Sequence, residues 1–160
     1  MEELQLTDNQ AQELIKCLKN VLGTYEKKLS NGDKGQFSLK SNNNSLKNRT
    51  FQVDYLYATD NIHINFMDAK TKHTLIRINL DSKFHNNSDG KVRGHRVEIF
   101  SEAEFKAKDD SSTYVKAHPL PFGTIRDTND FLIAMKDLLN YTNTHKQNHL
   151  QLSIISQLDI

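Results

Sequence analysis

A chain of 160 residues has the size of one ordinary domain, able to bury roughly 70% of the surface its unfolded form exposes. Its 21 Lys and Arg against 20 Asp and Glu leave a net charge of +1, which excludes a whole-molecule pull towards nucleic acid and leaves such binding to a local patch. Cys17 is the only cysteine, so an internal disulfide is excluded, and no apolar run approaches the ~20 residues of a bilayer span.

Met1-Glu2-Glu3 opens without a secretory pattern, which sets a cytoplasmic expectation with no membrane contact. Thr7-Asp8-Asn9-Gln10 then carries a capping-box pattern. From there Ala11, Leu14, Ile15, Leu18, Leu22, Tyr25 and Leu29 recur at steps of three and four, which predicts one amphipathic helix of about five to six turns. Cys17 sits off the centre of that stripe, as a small filler at a helix edge. The glycines of Ser30-Asn31-Gly32-Asp33-Lys34-Gly35 end the helix, and Phe37 and Leu39 alternate as a short strand. Ser41 to Arg49 is a polar, Asn-rich connection to which Lys40, Lys47 and Arg49 give a positive lean.

Strict alternation follows in Phe51/Val53/Tyr55/Tyr57, in Ile62/Ile64/Phe66 and in Ile76/Ile78/Leu80, and returns in Val97/Ile99. The short links between these runs predict antiparallel hairpins. Ser101 to Phe105 suits one helical turn, Tyr114 to His118 an edge strand stopped by Pro119 and Pro121. Asp127 or Thr128 is placed to cap a second amphipathic helix with Phe131, Leu132, Met135, Leu138 and Leu139 on one face. Leu150, Leu152, Ile154, Ile155, Leu158 and Ile160 carry too much apolar surface for a free tail.

The expected fold is a single α+β domain over residues 1–143, an antiparallel sheet of five to six strands with the N- and C-terminal helices packed on one face. Residues 144–160 form a tail that docks on the domain or joins two copies, with a homodimer through 145–160 as the corresponding partner. Alternation puts His63, Asn65, Arg77, Asn79, Arg96 and Glu98 on the face away from the helices.

The densest chemistry lies in the connection from Leu80 to Val97. His85, Asp89 and His95 have side chains that ligate metals, but the spacing matches no standard ligand set, and Asp89-Gly90 is an ordinary hairpin turn, so neither metal nor cofactor is assigned. A metal-independent ribonuclease would take His85 and His95, or a histidine with Glu98, as acid and base, with Arg77, Arg93 or Arg96 steadying the phosphate. As a binding surface the same region offers Arg77, Asn79, Asn87, Asp89, Arg93 and Arg96, joined by Lys47 and Arg49 of the Asn-rich loop.

The succession L-T-x-x-Q-A from Leu6, R-T-F-x-V-D-Y from Arg49, I-R-I-x-L-D from Ile76, H-x-N-x-D-G from His85, G-H-R-V-E-I-F from Gly94, A-x-P-L-P from Ala117 and D-F-L from Asp130 resembles a small uncharacterised bacterial family, a domain of unknown function. The likeness spans residues 6 to about 143. His85, Asn87, Asp89 and Gly90 match its pattern, whereas His95-Arg96-Val97-Glu98 holds one histidine where the resemblance implies an alternating pair. The family brings no activity, so the resemblance implies the fold outline alone. The sequence reading is therefore a small macromolecule-binding protein. Its partner is a protein first, and nucleic acid through a local basic patch second. A phage or mobile-element inhibitor of a host defence nuclease, or an antitoxin-like regulator, fits that size; the alternative is the ribonuclease-type toxin using His85 and His95.

Overall fold

The computed structural model of the protein describes residues 3–46 and 48–155. Helix α1 (Asp8–Lys16) starts at Thr7, whose hydroxyl accepts from the Gln10 amide while the Gln10 side chain accepts from the Thr7 amide. It ends after nine residues rather than running to Leu29 as the apolar spacing predicts. The rest of the stripe is divided between two strands, β1 (Lys19–Val21) and β2 (Tyr25–Leu29), with Gly23 at φ +68° between them. The reason lies in long-range pairing: β1 joins a sheet and buries Lys19 and Val21, which no isolated helix offers.

The chain continues as β3 (Asp33–Ser41), a 3-10 turn (Asn44–Leu46), β4 (Thr50–Ala58), β5 (Asn61–Asp68) and β6 (Thr74–Leu80). A small hairpin of β7 (Phe84–Asn87) and β8 (Gly90–Arg93) leads into β9 (Arg96–Phe100), α2 (Glu102–Lys108) and β10 (Val115–Pro119). Helix α3 (Phe131–Tyr141) is capped by Asp130, whose carboxylate accepts from Ile133 N, so neither Asp127 nor Thr128 is the cap. Two last strands follow, β11 (Thr144–His145) and β12 (Leu150–Ile154).

The architecture is α+β, but the sheet exceeds the expected five to six antiparallel strands. Eight strands run in the order β10-β9-β6-β5-β4-β3-β1-β11, and β11 pairs with β1 in parallel. The added strands are short and gain their pairing from residues far away in sequence, which leaves no local periodicity to read. The C-terminal segment tracks the N-terminal one: Lys19 pairs with Thr144 and Tyr25 with Leu150, both 125 positions apart, so 144–154 runs beside 19–29. β12 thereby forms a separate two-stranded parallel sheet with β2. Residues 156–160, including Leu158 and Ile160, lie outside the described residues.

The apolar side of the large sheet carries Phe51, Val53, Ile64, Phe66, Ile76, Ile78 and Val97, each at most 1% exposed, under α1 and α3. Phe131 of α3 sits 5.4 Å from the ring of Tyr55 and 5.6 Å from that of Tyr57. Among the described residues no helix is long and apolar enough to cross a membrane. Opposite this roofed, oily side the sheet has a second, hydrophilic side, part of which lies under the β7–β8 hairpin.

Candidate functional site

Strand register builds two neighbouring rows across that hydrophilic side. Gln36, Asp54, Asn65, Arg77 and Glu98 stand in one row, and Lys34, Leu56, His63, Asn79 and Arg96 in the next. Directly opposed residues have Cβ atoms about 5 Å apart, so side chains along each row meet. His63 Nδ1 lies 2.5 Å from Asn79 Oδ1, which also accepts from Arg77 Nε at 3.0 Å, and His63 Nε2 lies 2.6 Å from Asn61 Oδ1.

Asp81, one step beyond β6, extends the network. Its carboxylate accepts from Arg96 Nη1 at 2.7 Å and stands 3.6 Å from His63 Nε2. Burial opposes ionisation of Asp81, yet the Arg96 guanidinium and the Lys83 amide outweigh it and hold the carboxyl below its usual range. Arg96 Nη1 donates also to the carbonyls of Gly94 and Lys83, closing the neck from which the β7–β8 hairpin emerges. From Arg96 the chain of charges passes to Glu98, 3.4 Å from Arg96 Nε, and on to His85 Nδ1 at 3.5 Å.

The hairpin folds back over this part of the sheet and is pinned at its tip. Asn87 Nδ2 donates to Ala117 O and Ala117 N donates to Asn87 Oδ1, both at 2.9 Å, so one amide side chain pairs with the outer edge of β10 as a strand would. Ser88 donates through N and Oγ to the Glu104 carboxylate, Lys108 Nζ to Asn86 O, and Lys116 Nζ to Asp89. Beneath this cover Asn79, Arg96 and Glu98 are at most 9% exposed. The expectation that the whole polar face is free is thus corrected. Of Arg77, Asn79, Arg96 and Glu98, only Arg77 reaches an open cleft of about 320 Å³, which it lines with Lys34, Asp54, Leu56, His63 and Asn65. Under the hairpin, Asn79 Nδ2, Asp81 Oδ2, His85 Nε2 and Arg96 Nε are buried without a hydrogen-bond partner.

The two histidines expected to work together serve different carboxylates. His85 faces Glu98, whereas His95 Nδ1 lies 2.8 Å from Asp127 Oδ1, because Gly94 at φ +84° turns the chain between β8 and β9. Asp89 is taken by Lys116, and no group of three or more His, Cys, Asp and Glu gathers at metal-binding distance among the described residues. Arg49 is locked in a bidentate pair with buried Asp68, Nε and Nη2 each 2.9 Å from a carboxylate oxygen, which limits its reach as a binding residue. Lys47 lies outside the described residues.

The outer side of the hairpin completes the picture. Register sets Phe84 opposite Arg93 and Asn86 opposite Lys91, and all four project away from the sheet into solvent. Phe84 is 42% exposed, with Lys91 Nζ 4.2 Å and Arg93 Cζ 5.0 Å from its ring centre. Phe84, Lys91 and Asp81 are not among the residues that the sequence pattern singles out. A lone aromatic in an otherwise polar stretch between Lys83 and Arg93 was the available signal for the first two. Set against known proteins, a family model described as a family of unknown function (DUF6978) matches residues 6–144. No curated protein and no solved structure matches the chain.

Proposed function

The chain belongs to the DUF6978 family, a family of unknown function, and from that premise we propose that it is a small macromolecule-binding protein. Its contact surface is the outer side of the β7–β8 hairpin, continued onto the uncovered cleft around Arg77. One observation carries the reading: a hairpin fastened at neck and tip presents an exposed Phe84 with two cations over its ring. Aromatic side chains and Arg are enriched at interfaces, and a fastened hairpin loses little freedom on binding. Such a binder suits the role of an inhibitor or an antitoxin-like regulator from a phage or mobile element.

The enzymatic alternative rests on His85, Glu98 and Arg96 as neighbours. Arg96 and Glu98 are buried beneath the hairpin and His85 on its inner side is half-buried, which leaves little room for a ribose at the three, and His95 is engaged by Asp127. Self-association through residues 145–160 is a separate proposal, checked by sizing the protein in solution. The binding reading is tested by comparing the wild-type protein with an F84A/R93E double variant as bait in extract of the native host. A partner retained by the wild type and released by an equally stable variant supports it; equal retention by both overturns it.

A further inference from the structure

We propose that the outer side of the β7–β8 hairpin binds single-stranded nucleic acid, with a base stacking at Phe84 and the backbone running past Lys91 and Arg93. The inference rests on the binding reading above and names the class of partner. Three observations on that surface favour a nucleic acid strand.

Every ionisable side chain that the two strands project outward is a cation. The acid nearest in sequence, Asp89 at the tip, is already paired with Lys116. Lys83 at the neck and Lys108, whose Nζ donates to the Asn86 carbonyl, extend the positive strip. A molecule of net charge only +1 thus concentrates positive charge where the hairpin's one exposed aromatic stands.

The second observation is the ring itself. An acidic peptide satisfies the cations with carboxylates, which carry no broad π face of their own, whereas every nucleotide brings a base to lay on Phe84 together with the phosphate that meets the cations. Lys91 and Arg93 project from the same side as Phe84, with Nζ and Cζ over its ring at 4.2 and 5.0 Å, so a base reaches the ring face as these long, exposed side chains swing off it towards the phosphates. Asn86, opposite Lys91, adds an exposed amide able to donate to and accept from a base edge.

The third is rigidity. Asn87, Ser88 and Arg96 fix the hairpin on three sides, so the strip is preformed rather than assembled on contact.

The test uses fluorescence anisotropy of 5′-labelled U12 and dT12 with the full-length protein between 50 and 200 mM salt, and a fluorescent poly-glutamate as the other polyanion. About three neutralised phosphates give a slope of log K against log salt near −2, a weakening of roughly 15–20-fold over that range. F84A is expected to weaken binding about 10-fold with the slope unchanged. R93Q is expected to flatten the slope by about 0.7. Both side chains are exposed, and unchanged thermal melting shows that the variants fold. Preference for U12 names RNA, and equal binding of U12 and dT12 names either strand. Oligomer binding indifferent to F84A and R93Q overturns the proposal by placing the site elsewhere. Poly-glutamate bound in place of both oligomers, sensitive to R93Q, overturns it while leaving the binding reading intact. No binding of any polyanion overturns it as well.

Discussion

Lys19 shows what a single side chain has to satisfy once its surroundings are dry. It is fully buried, and its ammonium donates to the carbonyls of Ile15, Cys17 and Thr142 at 2.8 to 2.9 Å, with the rings of Phe51 and Phe66 beside it. Burial lowers its pKa to about 8, so the group stays charged at neutral pH and serves as a cation at the ends of α1 and α3. Lys19→Met keeps the volume and removes all three donors, so unfolding in urea should show a loss of about 2–4 kcal/mol; an unchanged midpoint would remove this role. Asp68 is the matching anion. Burial opposes its charge, but Arg49 and Thr71 hold the carboxyl below its ordinary value. A folded pKa below the unfolded one stabilises above the unfolded pKa, about 3.9, and that contribution is lost as pH falls through the folded value. Arg49→Gln should therefore cost about 3 kcal/mol at pH 7. The gap from the wild type should narrow steadily below about pH 4, and a gap constant to pH 2 would contradict the linkage.

At the scale of elements, β4, β5, β6 and β9 were legible because apolar and polar residues alternate along each in sequence, although in β9 the polar members Arg96 and Glu98 end up buried as well. The same alternation placed Arg96 and Glu98 on one face and so brought the core of the candidate site within reach of sequence reading. β7 and β8 left no such signal, since they pack on a polar surface and their inward residues His85 and Asn87 are themselves polar. Nor did β1, whose three residues depend on Ser41 and Thr144. Asn87 exposes a cost that the hairpin removes: β10 is the last strand of the sheet, and its unpaired backbone would template association with another chain. Asn87→Ala should destabilise by about 1–2 kcal/mol. It should also speed hydrogen exchange at the Ala117 amide at least 10-fold, as read by NMR. Exchange as slow as in the wild type would show that something else closes that edge.

Across the whole molecule, stability depends on the first and last thirds of the chain meeting. Thr144 pairs with Lys19 and Leu150 to Ile154 pair with Tyr25 to Leu29, while Leu150 and Leu152 also rest against the core. A chain cut after Asn143 loses both parallel pairings. A loss of roughly 3 kcal/mol corresponds to a fall in Tm of about 10 °C for this size, or to loss of cooperative melting. A melt superimposable on that of the full chain would show that these strands are decoration.

The 125-position interval between partners also sets a delay during synthesis. At about 5–20 residues per second a ribosome needs roughly 6–25 s to deliver β12 after β2. Throughout that interval the nascent chain carries an open strand edge at β2, and its Glu26, Lys27 and Lys28 supply the charge that discourages a neighbouring polypeptide from taking the vacant place first.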